Sequence, residues 1–408
     1  MVLIIGAGHA GVEAADALRR AGHTGSVTLV DGAACPPYQR PPLSKDVVRP
    51  GTDPAPLPLR ANGFYAEQGI ETRFGSPVEA IETEHRTVHL ADGTVLGYRT
   101  LILATGARAR RIGLPGARLA GVHRLHTLAD AGRLRAALEH ASRVVVLGAG
   151  FIGMEFASAA AERGLPVTVL DRAERPMQRV LSVPMSERFR REHEAAGARL
   201  CFGTEPAAFE GTGGRVTAVL DTNGQRHPAD LVVLGIGVDP AVELAQAAGL
   251  PVADGVVVDE LLRTADERVY AIGDCAAFPC PRTGGRIRLE AVQNATDQAR
   301  CVARTITGNA QPYTAVPWFW TVQCGWKLQI AGLPVPGART VPLGDPGTGK
   351  GSLLGFARDR LVSVESLGSP AEHLAARKLL AAGTPVSPEQ VHRPGFTLKA
   401  LAAGGISH

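Results

Sequence analysis

Three observations predict an α/β fold with two nucleotide-binding domains and a C-terminal α+β domain. Two glycine-rich turns of the form GxGxxG each lie between an apolar strand and a helix, and each helix leads to a second strand ending in aspartate. After about residue 312 the character shifts to tryptophans, alternating strand patterns and one helix near 371–382. A chain of 408 residues suits two or three domains, each able to bury its own core.

In the first unit an apolar strand, Val2 to Ile5, runs into Gly6-Ala7-Gly8-His9-Ala10-Gly11 and a helix reading VEAADALRRAG. The first glycine permits a tight turn, the second lets the backbone approach a pyrophosphate at the helix N-terminus, and the third lets helix and strand pack closely. A strand from Ser26 then ends at Asp31, whose carboxylate can accept hydrogen bonds from a ribose 2′-hydroxyl. The pattern returns in the strand Arg143 to Leu147, the turn Gly148-Ala149-Gly150-Phe151-Ile152-Gly153, a helix through Gly164, and a strand ending at Asp171. A lone GxGxxG carries little weight, but two complete Rossmann-like units imply two dinucleotides. The economical pair is a flavin dinucleotide and a nicotinamide dinucleotide, because hydride chemistry needs a donor and an acceptor. Asp171 would repel a 2′-phosphate, which favours NADH over NADPH, and the adjacent Arg172 softens that preference.

Bulk properties exclude several classes. The composition, 45% hydrophobic and 20% charged, is that of a soluble globular protein and rules out disorder and collagen. The formal charge of +4 does not point to nucleic acid, and no uninterrupted apolar stretch is long enough for a bilayer. The apolar N-terminal run lacks a preceding basic region, and Glu13 and Asp16 interrupt the residues after it, so it does not read as a signal peptide. Six sparse cysteines suit a reducing, cytoplasmic location.

Further motifs are PYQRPPLSK at 37–45, LILATGARAR at 101–110, GAGFIGMEFA at 148–157, DLVVLGIGVDP at 230–240, VYAIGDCAAF at 269–278, RLEAVQNATDQA at 288–299, and PWFW followed by KLQIAGL at 317–333. On these the chain resembles the FAD-dependent pyridine nucleotide oxidoreductases, and within them the ferredoxin reductases that serve cytochrome P450s and ring-hydroxylating dioxygenases. The resemblance implies two catalytic residues. Lys45 stands against the flavin near its reactive nitrogen, where a cation stabilises the reduced, anionic form, and Glu155 pairs with that lysine beside the nicotinamide. It implies FAD contacts at Gly6, Gly8, His9, Ala10 and Gly11, at Asp31 and Gly32, at Arg40 and Val78, at Ala104, Thr105 and Gly106, and at His126. Later FAD contacts are Gly273 and Asp274, the latter on the ribityl chain, then Glu290, Ala291, Val292 and Trp320. NAD would meet Gly148, Gly150, Phe151, Ile152, Gly153, Glu155, Asp171 and Gly237. No metal site is expected.

The ATG and GIGVDP segments read as two crossings between domains. They divide the chain into a discontinuous FAD domain (1–108 and 237–312), an inserted NAD domain (109–236) and a C-terminal α+β domain (313–408). The implied activity is NADH:ferredoxin reduction, through FAD to a 2Fe–2S ferredoxin. The alternatives are reduction of rubredoxin, oxygen or a quinone, and a non-enzymatic NADH-sensing flavoprotein.

Three positions depart from the family pattern. His126 replaces an arginine, which removes a permanent charge and predicts lower or pH-dependent FAD affinity. Val322 replaces an aspartate, changing the polarity at one edge of the flavin and at the exit to an iron–sulfur partner. The acid of the second strand is shifted by one residue, as Asp31-Gly32, and ribose binding is expected to survive.

Other features carry less weight. GDPGTGKGS at 344–352 nearly spells a phosphate loop, but Gly351 stands where a hydroxyl should bind magnesium and no helix pattern follows, so a hairpin is predicted. Twelve histidines show no zinc spacing, and no GxSxG serine is present. Arg60, Arg300 and Lys327 read first as solvated surface charge. The spacing Cys275-x4-Cys280 could mark a redox disulfide, but disulfide reductases of the resembled superfamily carry their pair elsewhere, so it reads as incidental.

Overall fold

The computed structural model describes residues 1–49 and 58–404. The chain divides into two compact units: residues 1–39, 58–108 and 238–315, and residues 40–49, 109–237 and 316–404 among those described.

The first unit is built on a five-stranded parallel sheet in the order Val269–Ala271, Thr100–Leu103, Val2–Ile5, Val27–Asp31, Ile70–Phe74. Val2, Leu3, Ile4, Leu29, Leu101 and Ile102 are all buried, because helices cover the sheet and its central strands must be apolar throughout rather than alternating. Helices His9–Arg20 and Val292–Ile306 pack against each other. Strand order reverses beside Val2–Ile5, and ligands of doubly wound sheets bind outside the strand ends at such a switch point. Glu13, buried in the first helix, is held below its ordinary carboxylate range: burial opposes ionisation, but hydrogen bonds from Arg300, Arg60 and Arg20 outweigh it. Arg60 and Arg300 are thereby committed to intramolecular pairs.

The second unit repeats the plan. Its parallel sheet runs Arg199–Phe202, Val167–Asp171, Val144–Leu147, Leu231–Leu234, Val122–Arg124. The repeat extends beyond the fingerprints. Each unit inserts a three-stranded antiparallel meander after the third strand counted from the one that enters its glycine turn, at Val78–Glu82, Thr87–Leu90, Val95–Gly97 and at Pro206–Thr212, Arg215–Asp221, Arg226–Pro228. Their last turns match atom for atom: Gly93 N donates to Leu90 O and Gly224 N to Asp221 O, with both glycines at positive φ. Within the expected segment 1–108, residues 40–49 pack instead with this second unit, tied by Arg163 Nε donating to Val48 O and by Lys45.

The C-terminal part of the second unit is an antiparallel sheet, Trp318–Gln323, Trp326–Gly332, Arg360–Leu367, Lys350–Ala357, Arg339–Asp345. One face carries Val364 and Leu354 against Leu379 and Ala376 of helix Pro370–Ala382, and the other carries Leu328 and Ile330 against Met185 and Phe189. The GDPGTGKGS segment is the hairpin between the last two strands of that order, where Asp345 pairs with Lys350. Gly349 at φ +85° leaves room for the Trp326 ring, which an added Cβ would strike at 1.9 Å.

Glu365 ties this sheet to helix Val183–Ala195. Its carboxylate, 3% exposed, accepts from Ser182 N at 2.7 Å and from Ser182 Oγ at 2.5 Å. Burial pushes its pKa up to about 7, against the lowering hydrogen bonds from Ser182 and the charge of Arg175. A carboxyl whose pKa is raised on folding adds stability that is complete below its unfolded pKa and is lost as pH rises through the folded one. The stability of the wild type relative to Glu365→Gln is therefore expected to fall by about 3 kcal/mol between pH 4.5 and pH 7.5, read by urea unfolding at several pH values.

Candidate active site

In the first unit two helix N-termini converge on one glycine. Helix His9–Arg20 starts at Gly8 and helix Val292–Ile306 at Ala291, and neither has a side-chain cap among the described residues. An added Cβ on Gly273 would lie 2.9 Å from Ala10 Cβ and 3.8 Å from Ala295 Cβ, so this turn sits between both. Uncapped amides with the positive ends of two helix dipoles suit an anion. Gly6, at φ +103°, would carry a Cβ 2.2 Å from Ala104 O, and Gly11 one 1.8 Å from Gly6 O, so the turn closes only with glycine. Among the described residues nothing lies within 4 Å of a Cβ on Gly8, which leaves that side open for a ligand.

Asp31 stands beside the turn, with Oδ2 accepting from Ala7 N at 2.5 Å and Oδ1 from Ala33 N at 2.7 Å. Gly32 follows it, facing Pro77 of the connection to Val78, a half-buried meander residue. Thr105 donates to Ala241 O and Gly106 O accepts from Ala241 N, so the two crossing segments are stitched together within this unit. Arg288 bonds the Glu290 carboxylate at 2.8 Å and Asp274 O at 3.2 Å, fixing the loop ahead of Ala291 and Val292.

The second unit holds the matching cradle. An added Cβ on Gly148, which sits at φ +102°, would lie 2.3 Å from Gly235 O, and one on Gly153 would lie 2.0 Å from Gly148 O, while Gly150 is open. Asp171 repeats the clamp, with Oδ2 accepting from Ala149 N at 2.5 Å and Oδ1 from Ala173 N at 2.7 Å. Phe151 meets Phe319 edge-on at 4.7 Å, Ile152 is exposed, and Gly237, at φ +94°, accepts from Arg110 N. Both cradles fit a dinucleotide: a glycine turn without Cβ atoms, an uncapped helix start and an acid at the end of the next strand.

On the helix of this second cradle lies Glu155, 6% exposed, with Lys45 Nζ 2.9 Å from its Oε1. The segment Pro41–Ser44 is a 3₁₀ turn, which delivers Lys45 and Ser44 to the same carboxylate: Ser44 Oγ donates to Oε2 at 2.6 Å. Thr321 Oγ1 donates to Oε1 at 2.6 Å. Strand alternation sends Thr321 and Gln323 inward, both fully buried, while Trp320 and Val322 on the opposite face are half-buried. Trp320 lies 5.5 Å from Trp318, and the Arg377 guanidinium sits 4.5 Å over the Trp318 ring. Arg40 Nη1 lies 2.9 Å from His126 Nε2, so a guanidinium adjoins the imidazole that stands for the family's arginine. Sequence reasoning does not reach Ser44, Thr321, Gln323 and its neighbour His193, although the polar pair flanking Val322 in an inward strand pattern is a usable signal.

The family model of the pyridine nucleotide-disulphide oxidoreductases matches residues 1–299, and that of the reductase C-terminal domain matches residues 318–402. The chain belongs to the pyridine nucleotide-disulphide oxidoreductase family. It is 46% identical to rhodocoxin reductase of Rhodococcus erythropolis, over 98% of this chain and 94% of that protein. It is 38% identical to a rubredoxin-NAD(+) reductase of Pseudomonas putida, over 90% of this chain and 96% of that one. The crystal structure of the ferredoxin reductase for the CYP199A2 system of Rhodopseudomonas palustris superposes with a TM-score of 0.95 at 44% identity, covering 98% of this chain and 99% of that one.

The disulphide of the family name has no counterpart here. All six cysteines are free, Cys275 and Cys280 are buried, and burial pushes the Cys275 thiol above its ordinary range. Cys275 Sγ instead donates to Ile272 O at 3.3 Å. Replacing both Cys275 and Cys280 with serine is expected to leave NADH-driven turnover within about twofold, whereas Asp274→Ala should weaken FAD retention, measured as flavin released on gel filtration.

Proposed function

We propose that this chain is an FAD-dependent NADH:ferredoxin reductase, supplying a 2Fe–2S ferredoxin and through it a cytochrome P450 or a ring-hydroxylating dioxygenase. The observation that carries the reading is the ion pair of Lys45 with Glu155, 2.9 Å apart, with Glu155 buried on the helix of the second cradle. The names of the relatives, reductases of small electron carriers, support it.

In this reading residues 1–108 and 237–312 form the FAD domain, 109–236 the NAD domain and 313–408 the C-terminal domain, the last four positions lying outside the described residues. The Gly6–Gly11 turn and the start of helix Val292–Ile306 hold the FAD pyrophosphate, Asp31 its ribose and Asp274 its ribityl chain. Bound FAD supplies an acceptor for two electrons that can be released one at a time. Gly148, Gly150 and Gly153 receive the NADH pyrophosphate, and Asp171 selects the 2′-hydroxyl over a 2′-phosphate. Lys45, held by Glu155 and the proline turn before it, would present its charge to the reduced flavin. Glu155 fixes the direction of the ammonium. The six free cysteines support a reducing, cytoplasmic location.

Val322, in place of the family's aspartate, together with the rubredoxin reductase relative, favours rubredoxin as a second acceptor. Purified protein loaded with FAD and driven by NADH is to be compared against a 2Fe–2S ferredoxin, a rubredoxin and oxygen. Fastest turnover with ferredoxin supports the first reading, and fastest turnover with rubredoxin replaces it with the second. Inability to bind FAD would overturn both.

A further inference from the structure

We infer that Thr321, Gln323 and His193 are positioning residues that hold Glu155 through a one-way chain of hydrogen bonds reaching from the C-terminal sheet into helix Val183–Ala195. The inference rests on the reading of Lys45 and Glu155 as the reaction-centre pair.

Chemistry sets the direction of the chain. The Glu155 carboxylate only accepts, so Thr321 Oγ1, 2.6 Å away, must donate to it. The Thr321 oxygen is then left to accept, and it does so from Gln323 Nε2 at 2.9 Å. That fixes the Gln323 amide with Oε1 turned to His193 Nε2 at 3.0 Å, and an amide oxygen requires the imidazole to carry its proton on Nε2. His193 Nδ1 is a bare lone pair, buried without a partner among the described residues, and burial keeps the imidazole below its ordinary pKa and therefore neutral. Every donor points toward Glu155.

The chain is braced at its middle. Gln323 Nε2 also lies 3.4 Å from Met177 Sδ, and Met177 N donates at 2.8 Å to Ala149 O in the second glycine turn. One residue further along the strand, Cys324 N donates to Ser158 Oγ at 2.8 Å on the Glu155 helix, which locks strand and helix in register. His193, Thr321 and Gln323 are all fully buried, so water cannot substitute for a missing member.

If the chain turns Glu155 toward Lys45, losing one donor matters only through the next. Flavin reduction by saturating NADH, followed by stopped flow, is expected to slow about five- to tenfold in Thr321→Val and in His193→Phe. Thr321→Ser and His193→Gln, which keep the hydroxyl and an equivalent N–H, are expected within about twofold of wild type. In the Thr321→Val background, His193→Phe should add less than about twofold, because the connection is already cut. Nitrogen NMR of the holoenzyme at pH 7 should show His193 protonated at Nε2 and not at Nδ1. Multiplicative effects of the two substitutions, conservative variants as slow as the disruptive ones, or an Nδ1-protonated His193 would each overturn the inference. Glu155→Gln distinguishes its failure from that of the underlying reading: if that variant reduces flavin at the wild-type rate, the Lys45–Glu155 assignment itself fails.

Discussion

Gly148→Val is expected to weaken NADH binding at least a hundredfold while FAD stays bound. The turn holds Gly148 at φ +102°, a region costly for a β-branched residue, and an added Cβ would meet the Gly235 carbonyl oxygen at 2.3 Å. That carbonyl belongs to the neighbouring strand connection, whose Gly235 N donates to Leu147 O at 2.7 Å, so it cannot retreat without breaking a sheet-end hydrogen bond. The turn must open, and the amides that would cradle the pyrophosphate lose their common focus. A Kd from quenching of protein fluorescence by NAD+, with flavin content and dithionite reduction as controls, checks this. Retained NADH affinity would show that this turn does not hold the nicotinamide nucleotide.

Lys45→Met should produce two separable losses. Removing the ammonium is expected to slow NADH-driven flavin reduction about a hundredfold, in line with deleting a preorganised charge from a reaction centre. It also leaves Glu155 buried at 6% exposure without its cation, and breaking a buried pair in this way costs about 3 kcal/mol or more of stability. The Lys45→Met, Glu155→Gln double variant should recover most of the stability, because a neutral amide needs no cation, yet remain slow. Thermal melts and stopped-flow traces on the same samples check both parts. A double variant that regained both properties would show that the lysine acts on folding alone.

The parts of this architecture that follow local rules are readable from sequence. A turn that admits only glycine must show glycine, and buried parallel strands must show unbroken apolar runs such as Val144 to Leu147, so both cradles are visible. The hairpin at 344–352 is readable because a phosphate loop requires a hydroxyl where Gly351 stands. The two meanders leave only faint marks, the turns around Asp92-Gly93 and Asn223-Gly224, since a strand pattern does not say to which sheet the strand belongs. Packing of residues 40–49 with the second unit follows from no local rule, and only the family resemblance points to it, through the pairing of Lys45 with Glu155. It depends on Lys45 meeting a carboxylate far along the chain, and no periodicity links the two. Thr321 and His193 escape notice for the same reason: a threonine in a strand and a histidine in a helix look ordinary until the fold brings them to one hydrogen-bond chain.

The twin aspartate clamps also limit how this protein could change its coenzyme. In both cradles one carboxylate oxygen is committed to the amide of the alanine between the first two glycines, and the other to an amide two residues beyond the acid. The acid is thus a fastener of the turn as well as the proposed reader of the sugar. Exchanging Asp171 for a small neutral residue, the obvious route to accepting a phosphorylated ribose, would unfasten the loop it was meant to retune. Evolution or engineering toward NADPH has an easier path through Arg172 and Ala173, which leaves the fastener in place and lets an added charge meet the phosphate from the side.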